Sequence, residues 1–175
     1  MSEALDVQSG ETILVNGAGG VTGRMIVELA ARCGATVIAT ASPSSAERVK
    51  ALGAAVVLDY HDPDWTRRAV DAAGSSGIRA AANAASGGEG DALSALASGG
   101  RLATITGAPP PSERGITIAN VYIRPDGDQL RLLAASLAKG WLQIDIVASY
   151  PLARAAEGLA RADKGAGGAA VALQP

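Results

Sequence analysis

Short β-branched apolar runs alternate along the chain with longer segments whose apolar residues recur every three or four positions, the pattern of strands and helices in βαβ order. The first run, Thr12-Ile13-Leu14-Val15-Asn16, is apolar almost without interruption, as expected of a central strand covered on both faces, and it ends at glycines. From about Gly20 to Arg32, Met25, Ile26, Leu29 and Ala30 fall on one face and predict a helix stopped by Gly34. Thr36–Thr40 predicts a second strand, Ser42–Ser45 a polar turn, Ala46–Leu52 a second helix and Ala55–Leu58 a third strand. The rhythm then repeats, with helices over Asp64–Ala73 and Asp91–Ala97 and strands over Ile78–Asn83 and Arg101–Thr106. Gly107–Pro111 is too rich in proline for a helix interior or a central strand and reads as a loop before a sixth strand, Ile116–Ile123. Helices over Asp126–Lys139 and Leu152–Ala162, a short strand over Gln143–Val147 and a terminal strand over Ala169–Leu173 complete the chain. No linker is long enough to divide it, so the expectation is an α/β fold: a doubly wound parallel sheet in three layers, with residues 1–175 forming a single domain.

Composition narrows the chemistry. Of 175 residues 48% are hydrophobic and 18% charged, enough to build a core without disulfides. With 22 glycines and no phenylalanine that core must be packed from small and β-branched side chains, which suits helices lying close on a sheet. A formal net charge of -2 and 3% aromatic residues leave no footprint for nucleic acid. The acidic start of the chain is neither a secretory signal nor a transit peptide, and no stretch reaches the roughly 18 apolar residues of a membrane span, so no membrane partner is expected. A single cysteine, Cys33, and a single histidine, His61, exclude a His/Cys metal cluster, and a reducing, cytoplasmic setting is expected.

The strongest chemical feature is Val15-Asn16-Gly17-Ala18-Gly19-Gly20-Val21-Thr22-Gly23, where the first strand gives way to the first helix. Glycines there permit positive φ and close backbone approach, while the helix's first N–H groups and its dipole favour an anion. Gly17, Gly20 and Gly23 would serve the turn, the approach of a pyrophosphate and the helix–sheet contact. A Walker-type phosphate loop is excluded, because no Lys-Ser or Lys-Thr pair follows the glycines. The second strand ends in Thr40-Ala41-Ser42 instead of the acid that takes a ribose hydroxyl in NAD sites, which favours a ligand with a 2′-phosphate, NADP. Arg48 and Lys50 are the nearest cations in sequence.

The glycine run, followed by Val37-Ile38-Ala39-Thr40-Ala41-Ser42, Leu52-Gly53-Ala54, Leu58-Asp59-Tyr60, Gly99-Gly100-Arg101-Leu102, Arg124-Pro125-Asp126-Gly127 and Pro151-Leu152-Ala153, resembles the cofactor domain of medium-chain dehydrogenase/reductases. The likeness is to their zinc-independent, NADPH:quinone oxidoreductase-like branch and spans nearly the whole chain. It implies a Rossmann-type domain that binds NADPH across the ends of strands one and four of a six-stranded parallel sheet. By position Gly17 and Gly19 shape the loop, and Gly20, Val21 and Thr22 face the pyrophosphate. Ser42 and Tyr60 match positions that contact the 2′-phosphate, and Asn83, Ala84, Ala85, Thr106 and Gly107 lie where ribose and nicotinamide pass. A small-molecule substrate is implied, and a homodimer formed through the edge strand 116–123, which a charge at Ile118 should block. Relatives also carry an N-terminal barrel-like substrate domain, and this chain begins about where that domain would end.

The chain departs from the family pattern in ways that weaken phosphate binding. Val21-Thr22 interrupts the usual glycine-rich run, Ser45 stands where a lysine is common, Gly168-Ala169-Ala170 replaces an Arg-Gly-Lys, and Asn83 replaces an aspartate. Other catalytic patterns fail. Tyr60, Tyr122 and Tyr150 are not followed by lysine at the short-chain dehydrogenase spacing, and there is no Gly-x-Ser-x-Gly elbow. Asp59 and His61 are expected to point apart at a strand end, His61 to lie on the surface, and Cys33 to be inert packing. No catalytic residue is assigned. The sequence thus favours the NADPH-binding domain of a zinc-independent quinone or enone oxidoreductase. A stand-alone dinucleotide sensor and a non-redox enzyme reusing the cofactor cleft are the alternatives.

Overall fold

The computed structural model describes residues 3–175. They fall into two compact units, one extending to Pro125 and the other covering Asp126–Pro175. In the first unit β1 (Thr12–Asn16), β2 (Thr36–Ala41), β3 (Val56–Asp59), β4 (Ala80–Asn83), β5 (Arg101–Thr104) and β6 (Thr117–Asn120) form one sheet. Its order is β3-β2-β1-β4-β5-β6 with every neighbouring pair parallel. The connecting helices are α1 (Val21–Arg32), α2 (Pro43–Ala51), α3 (Trp65–Ala73) and α4 (Glu89–Ser94).

Strand alternation explains the three layers. Ile13 and Val15 of β1, Val37 and Ala39 of β2, and Ala80 and Ala82 of β4 point to one face, where they pack with Val27 and Ala30 of α1 and Val49 of α2. Leu14, Ile38 and Ala81 point to the other, against Trp65 and Ala69 of α3 and Ala92 and Leu93 of α4. All five β1 residues are buried, as its uninterrupted apolar run predicted. Each fully buried Leu or Ile here contributes roughly 1.5–3 kcal/mol, and the alanines of β4 let the helices lie close. The chain passes from β3 back across β1 to reach β4, so its direction of travel reverses between β1 and β4. A crevice opens at such a point, beyond the carboxyl ends of the strands.

Several element boundaries differ from expectation, each for a local reason. Ser42–Ser45 is not a turn ahead of α2 but its cap and first turn: Ser42 is the N-cap and Pro43 the first helical residue, where a missing N–H costs nothing. β5 stops at Thr104, because the β4 carbonyl at Asn83 already bonds the N–H of Ile105 and the chain then turns. β6 accordingly spans Thr117–Asn120 rather than 116–123, its last contact with β5 running from the Val121 N–H to the Thr104 carbonyl. Cys33 is not packed inside; it is exposed at the C-cap of α1.

In the second unit α5 (Gly127–Ala138) is followed by β7 (Ile146–Pro151), α6 (Ala155–Asp163) and β8 (Ala170–Gln174), with β7 and β8 paired in parallel. The strand expected at 143–147 lies further along, where β8 supplies its partners. The helix expected from Leu152 opens with a 3₁₀ turn, Leu152–Arg154. Asp126 caps α5 by accepting the Gln129 N–H at 2.9 Å. No helix among the described residues is long and apolar enough to cross a membrane.

Candidate functional site

The carboxyl ends of β1, β2, β4 and β5 are joined by buried polar side chains. Thr40, at the end of β2, donates through Oγ1 to Asn16 Oδ1 at 2.6 Å and accepts the Gly17 N–H at 2.9 Å. Asn16 Nδ2 donates to Asn83 Oδ1 at 2.9 Å and to the Gly88 carbonyl at 3.3 Å. Asn83 Nδ2 in turn lies 3.0 Å from the Ala85 carbonyl, 3.2 Å from Thr104 Oγ1 and 3.0 Å from Thr106 Oγ1. Thr106 Oγ1 also lies 2.8 Å from Glu89 Oε1. Asn16, Thr40, Asn83 and Thr104 are each at most 3% exposed. Unsatisfied polar groups at that depth would be costly, so the network fixes the loops after β1, β4 and β5 relative to one another.

On this base sits the glycine loop. Gly17 has φ of 85°, and a Cβ there would come within 2.8 Å of the Ala85 nitrogen, so a side chain is excluded by conformation and by contact. At Gly23 a Cβ would fall 2.2 Å from the Gly17 carbonyl oxygen, which presses the first turn of α1 directly onto the loop. Gly20 is different: a Cβ there would meet nothing nearer than the same oxygen at 3.7 Å. Gly20 caps α1 without a side-chain hydrogen bond, and the N–H groups of Val21, Thr22 and Gly23 have no acceptor among the described residues. Three donors converging at the positive end of a 12-residue helix, beside an open glycine, suit an anionic ligand. A dinucleotide pyrophosphate fits that donor set.

Beside the loop is a cleft of about 270 Å³ lined by Asn16, Gly17, Thr40, Tyr60, Trp65, Ala85, Ser86, Gly87, Gly88 and Asp91. It brings together three of the residues expected from sequence, Gly17, Tyr60 and Ala85. Gly19, Gly20, Val21 and Thr22 lie on the loop and first turn next to it, and Ala84 packs by its backbone under Gly17. Asn83 is buried inside the polar network, so its side chain organises the loops. Thr106 and Gly107 follow β5, where a Cβ on Gly107 would come within 2.9 Å of Glu89 Oε1. Ser42 lies at the start of α2. Sequence patterns missed Trp65 and Asp91, whose helices bring them to the cleft from beyond β3 and β4, and Glu89, which meets Thr106 after β5. The available signal for Trp65 was a bulky aromatic opening a helix directly after a strand end.

Asp59 and His61 do not point apart: His61 Nδ1 is 2.7 Å from Asp59 Oδ1, which also accepts the His61 N–H at 3.0 Å. β3 ends at Asp59 and the chain turns, so strand alternation no longer applies. The His61 backbone N–H, with its ring, holds the Asp59 carboxyl below the usual carboxylate range. His61 is exposed, its ring centroid 4.1 Å from that of Tyr60 and the two rings tilted by 35°. Among the described residues no group of three or more His, Cys, Asp or Glu side chains is placed to hold a metal ion, so the residues present do not fit a zinc site.

Comparison with known proteins agrees with this architecture. The sequence model of the zinc-binding dehydrogenase family matches residues 21–124. A curated relative, the trans-enoyl reductase tazE of Aspergillus terreus, is 43% identical over 68 residues, 39% of this chain and 22% of that protein. Among solved structures, an NAD-dependent alcohol dehydrogenase superposes with a TM-score of 0.87 at 26% identity, over 99% of this chain and 54% of that one. A mycobacterial protein, Rv1454c, solved in complex with NADPH, superposes with a TM-score of 0.75 at 27% identity, over 99% of this chain and 59% of that one. The chain thus spans little more than half the length of these solved structures. A family match over residues 21–124, joined to a six-stranded parallel sheet with a glycine loop at its β1/β4 crevice, makes this chain a member of the zinc-binding dehydrogenase family, in the dinucleotide-binding fold of the medium-chain dehydrogenase/reductases.

Proposed function

We propose that this chain is the NADPH-binding domain of a zinc-independent enone or quinone oxidoreductase. The observation that carries it is the unpartnered set of N–H donors at Val21, Thr22 and Gly23, facing the open space at Gly20 where strand order reverses. The pyrophosphate is bound by those donors and the α1 dipole, with Gly17 and Gly19 shaping the loop. Tyr60 and Trp65 wall the cleft that takes the adenosine end, which at about 270 Å³ holds only part of a dinucleotide. The rest runs over the ends of β4 and β5, past Ala84, Ala85, Thr106 and Gly107. Asn83 acts beneath them by holding those loops in register.

The fold is shared with an NAD-dependent enzyme and with a protein solved with NADPH, so fold alone does not choose the cofactor. Ser42 supports NADPH: a carboxylate at the end of β2 would hold the ribose hydroxyls of NAD and repel a 2′-phosphate, whereas a hydroxyl can donate to one. The cofactor, when bound, supplies hydride to an activated C=C bond or quinone. The likeness to a trans-enoyl reductase supports the C=C class. In the cell we place the protein in the cytoplasm, where an exposed free thiol such as Cys33 stays reduced. It would act as a homodimer formed at the β6 edge, residues 116–123, where Tyr122 and Ile123 are exposed.

Calorimetric titration of the chain with NADPH and NADH tests this. Binding of NADPH at micromolar concentration, with NADH at least about 10-fold weaker, is expected, a gap of about 1.4 kcal/mol. Failure to bind either dinucleotide would refute the assignment.

A further inference from the structure

Resting on the NADPH assignment, we infer that Glu89 is a negative charge set beside the nicotinamide end of the cofactor, where it favours the oxidised, cationic form over the reduced, neutral one. Glu89 opens α4 and is half-buried. Thr106 Oγ1, which accepts from Asn83 Nδ2 at 3.0 Å, has two acceptors within reach, Glu89 Oε1 at 2.8 Å and the Ala85 carbonyl at 3.1 Å. The carboxylate also lies against the backbone that follows β5, where a Cβ on Gly107 would come within 2.9 Å of its Oε1. Among the described residues Glu89 has no Lys, Arg or His within ion-pair distance. Its partner is a neutral hydroxyl, so no neighbouring cation cancels the charge.

The place of Glu89 relative to the cofactor follows from strand order. With the pyrophosphate on the loop after β1 and the adenosine end toward β3, the order β3-β2-β1-β4-β5 sends the other half of a dinucleotide over the ends of β4 and β5. Glu89 stands at that edge of the sheet. Transfer of a hydride to an activated C=C bond takes two electrons and a hydrogen from a neutral dihydronicotinamide and leaves a pyridinium cation, while the acceptor gains the hydride and then a proton from water. A carboxylate nearby attracts the cation and does little for the neutral ring. NADP⁺ is therefore held more tightly than it would be without Glu89, and bound NADPH becomes the stronger reductant, by about 30 mV for each tenfold in the ratio of dissociation constants. The fold does not need the charge, because Thr106 can donate to the Ala85 carbonyl instead.

Equilibrium titration of NADP⁺, NADPH and 2′,5′-ADP with the wild-type chain, Glu89→Gln and Glu89→Asp tests this, with thermal unfolding as a folding control. Glu89→Gln, which keeps an oxygen for Thr106, should weaken NADP⁺ by about 3- to 30-fold and leave NADPH and 2′,5′-ADP within about 2-fold. Glu89→Asp, which keeps the charge, should hold the ratio of NADP⁺ to NADPH constants within about 2-fold of wild type. Glu89→Ala carries the same expectation as the glutamine variant and takes its place if that variant is unstable. An unchanged ratio in a folded, charge-free variant overturns the inference. Equal weakening of NADP⁺ and NADPH would make Glu89 a structural support of the loop after β5 and overturns it too, and either result leaves the NADPH assignment standing. A wild-type chain that binds none of the three ligands overturns the assignment and the inference together.

Discussion

Two glycines three residues apart should respond in opposite ways to one added methyl group. At Gly23 an alanine Cβ would sit 2.2 Å from the Gly17 carbonyl oxygen and 2.8 Å from Ala18 Cα, both backbone atoms that no rotamer change can move aside. Alanine gains about 1 kcal/mol of helix propensity there. Overpacking costs about 1–3 kcal/mol, and backbone-on-backbone contact puts this case at or above the top of that range. The net loss is about 2 kcal/mol, or roughly 4–8 °C in melting temperature for a chain of this size. At Gly20, with φ of -82° and ψ of 167°, alanine is conformationally acceptable and its Cβ meets nothing closer than 3.7 Å. Stability should therefore change by less than about 1 kcal/mol, since replacing glycine at an N-cap costs a few tenths to one. That methyl would instead occupy the space where the pyrophosphate approaches the Val21 and Thr22 N–H groups, and should weaken NADPH by about 10-fold or more. Thermal unfolding followed by circular dichroism, beside calorimetric titration, reads both effects. A Gly23→Ala variant as stable as wild type would refute the packing argument, and full NADPH affinity in Gly20→Ala would remove the pyrophosphate from the loop.

Three further outcomes are expected. Replacing Asn83 with Leu removes its bonds to Asn16 Nδ2, the Ala85 carbonyl and the Thr104 and Thr106 hydroxyls at once, leaving Asn16 Nδ2 only its longer bond to the Gly88 carbonyl, and should cost about 2–4 kcal/mol in urea unfolding; a loss below about 1 kcal/mol would show that the network does not hold the loops. Glu11 is pulled up by burial, but the Gln8 N–H and the Arg101 guanidinium at 2.6 Å outweigh this and hold its carboxyl below the usual range. A depressed carboxylate stabilises above its unfolded pKa, and that contribution is lost as pH falls through the folded value. Glu11→Gln should therefore be less stable than wild type at pH 7, with the gap closing on the acid side of about pH 4, and a gap that persists at low pH would sink the assignment. Dimerisation is better tested at Ile123 than at Ile118, because Ile118 packs against the core and a charge there would damage the fold. Ile123→Asp should halve the mass seen by light scattering, and an unchanged mass would remove the β6 edge from the interface.

Local pattern was enough for the elements of the sheet and for the glycine loop. An unbroken apolar β1, glycines at its end and alternating helical segments are properties of neighbouring residues, whereas the order β3-β2-β1-β4-β5-β6 is set by which strands pair. Boundaries were less legible where pairing decides them: β5 and β6 end where their neighbours end, and Ser42–Ser45 looks like a turn until Pro43 is seen to start a helix. The short Asp59–His61 contact was missed because strand alternation was applied one residue beyond the strand.

Residue identities alone set the chemistry available: too few His and Cys for a His/Cys metal cluster, no acid at the end of β2, and donors at the start of α1. Which of those groups meet was decided only by tertiary structure. Thr40, Asn16, Asn83 and Thr106 come from four separate strand ends and form one network because parallel strands deliver all their carboxyl ends to the same edge of the sheet. Trp65 and Tyr60 wall a cleft with residues that follow β4, across a gap in sequence that no periodicity spans. Arg48 looks in sequence like one more solvated helix cation. Its return to Ser45, beside Gly19, exists only because α2 begins at Pro43 and packs its first turn against the glycine loop.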